Sequence, residues 1–196
     1  MGAALSVFAE HGFHGARLRS IADSADIDVA LIAYHYGSKM DLWRAVITDL
    51  ISSSLKSLET VQNDETWVDP VARLDAFVGA MVRLLSDRPQ VAQLMIGELG
   101  DPSDMGRMEF IDEILVFPLR TMFLSVLEDA AEALGMNPVA ETDIAYFSMI
   151  GMLAITVQRR AVISRFSPSA RNGEKFQEAL KDQIIRGLLS TFPTNA

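Results

Sequence analysis

Ala16-Arg17-Leu18-Arg19-Ser20-Ile21-Ala22-Asp23-Ser24-Ala25-Asp26-Ile27-Asp28-Val29-Ala30-Leu31-Ile32-Ala33-Tyr34-His35-Tyr36-Gly37-Ser38-Lys39 is the stretch whose reading decides the fold. Leu18, Ile21 and Ala22 share one face of a short helix. Ala25-Asp26-Ile27 breaks that helix and supplies a tight turn with an apolar anchor. Asp28 has the side chain to cap a second short helix, whose predicted inner face is Leu31, Ile32 and Tyr36. Two short helices joined by so short a turn form a helix-turn-helix. In that unit the second helix offers its outer residues to the DNA major groove while the first lies across the backbone.

Outward from this unit the apolar spacing stays helical. Ser38 and Asp41 open a long helix as a capping box, and Leu42, Trp43, Val46, Ile47, Leu50, Ile51, Leu55 and Leu58 form its stripe. A polar stretch at 60–69 reads as a loop. Asp69-Pro70 starts the next helix, with cap and first-turn proline in the preferred order. Further helices are predicted from Pro89 to Leu99 and from Ser103 to Gly135, the latter kinked or restarted at Pro118. The last two are predicted from Ala140 to Phe166 and from Gly173 to Thr191, with Gly100–Asp104 a turn and Gly135 a helix end. Neither a hairpin signal nor an internal repeat is present. The expected fold is all-α, with roughly nine helices.

The 196 residues carry 17 basic and 26 acidic side chains, net −9, and 49% are hydrophobic. That hydrophobic share excludes a disordered tail. No apolar run reaches the ~18 residues of a membrane span, and no secretory signal pattern is visible, so a cytoplasmic location is the default expectation. The absence of cysteine excludes disulfides, thiolate catalysis and sulfur-ligated zinc. His11, His14 and His35 are the only histidines; His11 and His14 lie close in sequence, but no cysteine and no further histidine a turn away completes a metal site with them. Neither a metal site nor a catalytic triad is expected, so no enzyme and no cofactor. An acidic balance by itself argues against a polyanion partner.

Ala3-Ala4-Leu5-Ser6-Val7-Phe8-Ala9-Glu10-His11-Gly12-Phe13, then Ile21-Ala22, Ala25 and Ile32-x-Tyr34-His35-Tyr36-Gly37-Ser38-Lys39, resemble the DNA-binding domain of the tetracycline-repressor (TetR) family. The resemblance covers residues 1–50 and implies a second, helical regulatory domain over 51–196. It places Lys39, His35, Arg17 and Arg19 at DNA phosphates and Val29, Ala30, Ala33 and Tyr34 towards base edges. A cation at a helix start beside free N–H groups suits an anion. The three apolar residues offer contacts such as that to a thymine methyl, and Tyr34 adds a hydroxyl. Ala16 and Arg17 stand where the family has threonine and a hydroxyl residue, Ala33 where it has a larger one, and Asp26 where it has a turn glycine. Asp tolerates the left-handed conformation better than most residues. Met1 aligns with the middle of the family's first helix. Residues 1–60 hold five basic groups against seven acidic, so the expectation is that a basic opening segment is missing.

For the second domain the resemblance implies an inducer pocket and a dimer face. Phe77, Met81, Met95, Met108, Phe117, Arg120 and Phe123 are the expected ligand residues, with Gln93 and Tyr146 as further polar contacts; methionines and aromatics suit an adaptable apolar pocket. Phe147, Gly151, Met152, Ile155, Ile184 and Leu188 are the expected dimerisation residues. The function implied is a homodimeric, ligand-responsive regulator, a repressor released from a double-stranded DNA operator by a small apolar or amphipathic inducer. The alternative is a dimeric helical small-molecule-binding protein without DNA recognition.

Overall fold

A computed structural model describes residues 1–64, 66–99, 104–136 and 142–190, where helices account for nearly everything and no strand occurs. In chain order these are α1 (Gly2–Gly15), α2 (Leu18–Ala25), α3 (Val29–Tyr36), α4 (Lys39–Gln62), α5 (Pro70–Asp87), α6 (Pro89–Leu99), α7 (Met105–Ile111), α8 (Phe117–Ala133), α9 (Thr142–Gln158), α10 (Arg160–Ile163) and α11 (Gly173–Ser190). A π-helical turn, Asp112–Val116, joins α7 to α8, and α10 is a single turn trailing α9. With those pieces merged, the roughly nine helices expected from periodicity are recovered.

The helix ends follow the side chains at them. Asp28, Ser38, Asp69 and Asp104 each accept a hydrogen bond from a first-turn N–H of α3, α4, α5 and α7. Gly135, at φ 66°, closes α8: its N–H donates to the Glu132 carbonyl and that of Met136 to the Ala131 carbonyl, so two orphan acceptors are satisfied. Gly12, at φ 66° and ψ 174°, kinks α1 one turn before its end. Pro118 lies in the first turn of α8, directly after the π turn. There the Phe117 N–H reaches back to the Asp112 carbonyl, a wider loop than an α-helix makes. That widening lets the rod continue through a proline lacking an N–H.

The core is organised around α5, whose Leu74, Phe77 and Val78 have no exposed surface. It packs against α4, α8, α9 and α11. Ion pairs flank this packing, Lys181 to Asp75 at 2.8 Å and Arg73 to Asp129. Two expectations need correction. The helix predicted to run to Phe166 ends at Gln158, because Arg159 leaves helical geometry at φ −96°, ψ 11°. Ile184 and Leu188 of α11, expected at a dimer face, are only 1% and 5% exposed because α11 turns them inward within the protomer. The turn predicted at 100–103, the helix start at Ala140, the Thr191 end and the Met95 side chain lie outside the described residues.

Candidate nucleic-acid interface and the cavity behind it

The reading unit is built by local chemistry. Arg17, not Ala16, is the cap residue of α2; it is extended and makes no side-chain cap bond. Ala16 is buried at 1% exposure, so its alanine fills space beneath the turn rather than failing as a cap. Asp26 takes the left-handed conformation, φ 54°, ψ 48°, and the Ile27 N–H closes the turn on the Ala22 carbonyl at 3.1 Å. Asp28 Oδ1 then accepts from the Ala30 N–H at 2.7 Å and starts α3. Gly37, at φ 77°, ends α3 and lets the chain turn into α4.

Only Ile32 of α3 is buried. Val29, Ala30, Ala33, Tyr34 and His35 are all exposed, Tyr34 at 83%. Arg17 and Arg19 are exposed beside them. Leu31, assigned to the inner face from its spacing, is 44% exposed and therefore belongs to the outer surface. The inner face of so short a helix is Ile32 with the half-buried Tyr36, as expected for those two, and the period alone did not exclude Leu31 from it. The surface that results is mostly apolar, with one phenol, one imidazole and two guanidiniums.

Lys39 behaves differently from a plain surface cation. Its Nζ donates to the Ala16 carbonyl at 2.9 Å and to the His14 carbonyl at 3.4 Å, and stands 4.6 Å from the Phe13 ring centre. Burial, and then the neighbouring Arg107 guanidinium, push its pKa below the usual lysine value. An ammonium has three N–H donors, so one is left for a phosphate while two staple the α1–α2 corner to the start of α4. Arg107, only 3% exposed, was not anticipated. Its guanidinium lies 4.6 Å from Phe13 and 5.8 Å from Trp43, reaches His14 Nε2 at 3.4 Å, and pairs with Asp104 at 3.2 Å. It therefore fixes α7 to α1 and α4. The clue available in the sequence was Asp104-x-x-Arg107, an (i, i+3) pair set among Met and Phe.

Behind the head, α4 continues into the wall of an aliphatic cavity of about 50 Å³. Ile47, Leu50, Ile51, Ser54, Leu55 and Leu58 supply one side, and Met81, Leu84, Leu85, Val91, Leu94, Ile111, Leu115 and Leu119 the rest. The one hydroxyl, that of Ser54, is engaged with the Leu50 carbonyl at 2.8 Å. Met81 is the member of the expected ligand set that lines this cavity. Phe77 and Phe123 are fully buried core, Met108 is half-buried on α7, and Phe117 is 60% exposed on the surface. Arg120 pairs with Asp143, and the buried Tyr146 hydroxyl donates to the Val116 carbonyl at 3.3 Å. Aromatic residues were expected around a ligand; the helices instead use them as mutual packing, and the cavity is lined by leucine and isoleucine.

Of the expected dimer residues, Phe147, Met152 and Ile155 of α9 are 51%, 38% and 56% exposed, with Gly151 half-buried between them. Ile144, 61% exposed, extends this apolar stripe.

Residues 1–46 match the family model of bacterial regulatory proteins, tetR family. These residues carry the DNA-binding domain of the TetR family. Over 99 residues it is 29% identical to the HTH-type transcriptional regulator RutR of Escherichia coli K12, covering 50% of this chain and 45% of RutR. It is 30% identical over 118 residues to the HTH-type transcriptional regulatory protein RaaS of Mycobacterium tuberculosis, covering 57% and 53%. The chain thus spans about half the length of the curated relatives it matches. The same all-helical fold is seen in the transcriptional regulator FadR from Bacillus subtilis, solved in complex with stearoyl-CoA. The two share a TM-score of 0.73 and 17% identity over 96% of this chain and 95% of that one. No helix among the described residues is long and apolar enough to cross a membrane.

Proposed function

We propose that this chain is a ligand-responsive DNA-binding regulator of the TetR family, a repressor that acts as a homodimer and lets go of its operator when an apolar or amphipathic molecule enters the α4 cavity. The observation that carries the reading is the double role of α4. Its first residue, Lys39, is stapled to the reading head, and its middle turns form one wall of the cavity. At about 50 Å³ the resting cavity is well below the roughly 150 Å³ of an apolar cavity that admits a molecule the size of benzene. A ligand of useful size must therefore part the helices, and the wall that moves is attached to the head. The reading contains no catalytic step.

In this scheme Tyr34, His35, Val29, Ala30 and Ala33 meet the major groove, while Arg17, Arg19 and the remaining Lys39 proton meet phosphates. The α9 stripe of Phe147, Gly151, Met152 and Ile155 is the surface that a second copy covers, and twofold pairing presents two α3 helices to a near-palindromic site. The lining favours the hydrocarbon part of an inducer, and the acyl chain of the FadR ligand has that character. Linkage requires that operator DNA weaken inducer binding by the same factor by which inducer weakens operator binding.

The test is fluorescence anisotropy with fragments selected from the source genome, with and without candidate amphiphiles. Saturable binding that falls with added salt and is reversed by an alkyl ligand is the expected result. DNA affinity that stays constant under a ligand shown to occupy the cavity refutes the coupling. Phe147→Asp and Ile155→Asp, both at exposed positions, should halve the mass in sedimentation without unfolding the protomer.

A further inference from the structure

From Ile144 to Gly173 the chain has no acidic residue but four arginines, Arg159, Arg160, Arg165 and Arg171, within a molecule of net charge −9. The fold gathers two of them at an open cleft of about 480 Å³, lined by Arg160, Ala161, Ser164, Ala170 and Arg171. Neither guanidinium is loose. Arg160 Nε donates to the Ala170 carbonyl at 3.0 Å, and its plane lies 5.3 Å from the Phe176 ring centre. Arg171 Nε donates to the Ser164 carbonyl at 3.0 Å. These reciprocal bonds tie α10 and the 3-10 turn Ser169–Arg171 together and use the inner nitrogen of each fork. No carboxylate of the described residues lies within ion-pair distance of any of the four arginines.

We propose that this cleft is a second ligand site, separate from the aliphatic cavity, and that it takes the phosphate group of a small phosphorylated molecule. Two anchored guanidiniums facing one cleft are pre-organised donors, and phosphate oxygens match the fork geometry better than a carboxylate-free surface of mobile lysines would. Fixing the Nε atoms in advance lowers the ordering cost of binding. A nucleic acid is disfavoured as the occupant, because the basic surface is a single cleft and the molecule around it is acidic, whereas a duplex demands an extended run of phosphate contacts.

The experiment is calorimetric titration of the full chain with inorganic pyrophosphate at constant ionic strength, balanced with chloride. Saturable binding at one site per chain is expected. Arg171→Gln and Arg160→Lys should each weaken it by about tenfold or more, since the charge-assisted fork is lost in both and the charge is kept in the second. Arg159→Gln, outside the cleft, should leave it within about twofold. Circular dichroism and thermal melting of each variant establish that the fold is intact. The proposal is overturned by any of three results. These are no saturable uptake of pyrophosphate into the millimolar range, equal binding by wild type and both cleft variants, and displacement by a random-sequence DNA duplex whose own affinity drops in Arg171→Gln.

Discussion

The N-terminal helix-turn-helix region, the head, and the remaining helices, the body, are both helical, yet they are held by different means. The head's two shortest helices, α2 and α3, bury only Ile21, Ala22 and Ile32 and rely on caps, a left-handed aspartate and an ammonium staple. In the body, α5 and α8 alone bury a dozen or so large apolar side chains, several without any exposed surface. The N-terminal helices therefore leave the α3 surface exposed, while the rest of the chain invests its surface in a core that encloses an aliphatic cavity. Stability and recognition are thus separable here, and the largest expected effect tests that. Phe123→Ala, at a position with no exposure, should cost about 3–5 kcal/mol in urea denaturation. Tyr34→Ala should change stability by less than about 0.5 kcal/mol. It should still weaken DNA binding by about tenfold, read by anisotropy. Comparable destabilisation by the two would break the distinction.

Next in size is the joint between the regions. Arg107→Gln removes the cation from Phe13 and Trp43 and its pairing with Asp104, all at a site 3% exposed. The expected cost is about 1–3 kcal/mol. Its signature should be local: faster amide hydrogen exchange at Phe13 to Ala16 and the start of α4, with α5 and α8 protected as before. Uniform loss of protection over the whole chain would mean that head and body unfold as one unit, with no joint to speak of.

What the sequence made legible divides along the same line. Asp28, Ser38, Asp69 and Gly135 were readable because caps and left-handed positions are local events, decided by a residue and its next few neighbours. The order and ends of most helices followed from them and from the apolar period. Facing was not legible. Periodicity says that Ile184 and Leu188 share a side of α11, but not whether that side meets α5 or another copy, since both are apolar surfaces. The aromatic residues Phe77 and Phe123 suggested a pocket for the same reason. Lys39 was correctly placed at the start of α4, but its bonds to two carbonyls of the α1–α2 corner depend on contacts some two dozen residues away, which no spacing rule reports.

Within the head, two neighbouring aspartates should respond with opposite sign. Asp28→Ala removes the acceptor for the Ala30 N–H and should cost about 1 kcal/mol. Asp26→Gly relieves a positive φ of 54° and should stabilise the protein by up to about 1 kcal/mol, less whatever the freer unfolded chain takes back. Thermal melts of the two variants decide it. If Asp26→Gly destabilises, the carboxylate has a role in the turn beyond tolerating its conformation.

The smallest effect lies at the exposed joint of α8 and α9, where Arg120 pairs with Asp143. The hydrogen bond from Arg120 holds the Asp143 carboxyl below the usual aspartate range, against the opposing effect of desolvation, and the same bond raises Arg120. The sign follows from the depressed carboxyl. Its contribution is complete above the unfolded aspartate pKa and is lost as pH falls through the lower, folded value. Near neutral pH both partners are charged and the pair is constant. Asp143→Asn should therefore flatten part of the acid limb of the stability curve while leaving the neutral region almost unchanged. A carboxyl titration by NMR with a midpoint at or above the usual aspartate value would show that solvent has dissolved the pair. The contrast with the N-terminal helices would then be sharper still, because a pair this exposed would hold nothing, whereas the half-buried staple of Lys39 holds the α1–α2 corner to α4.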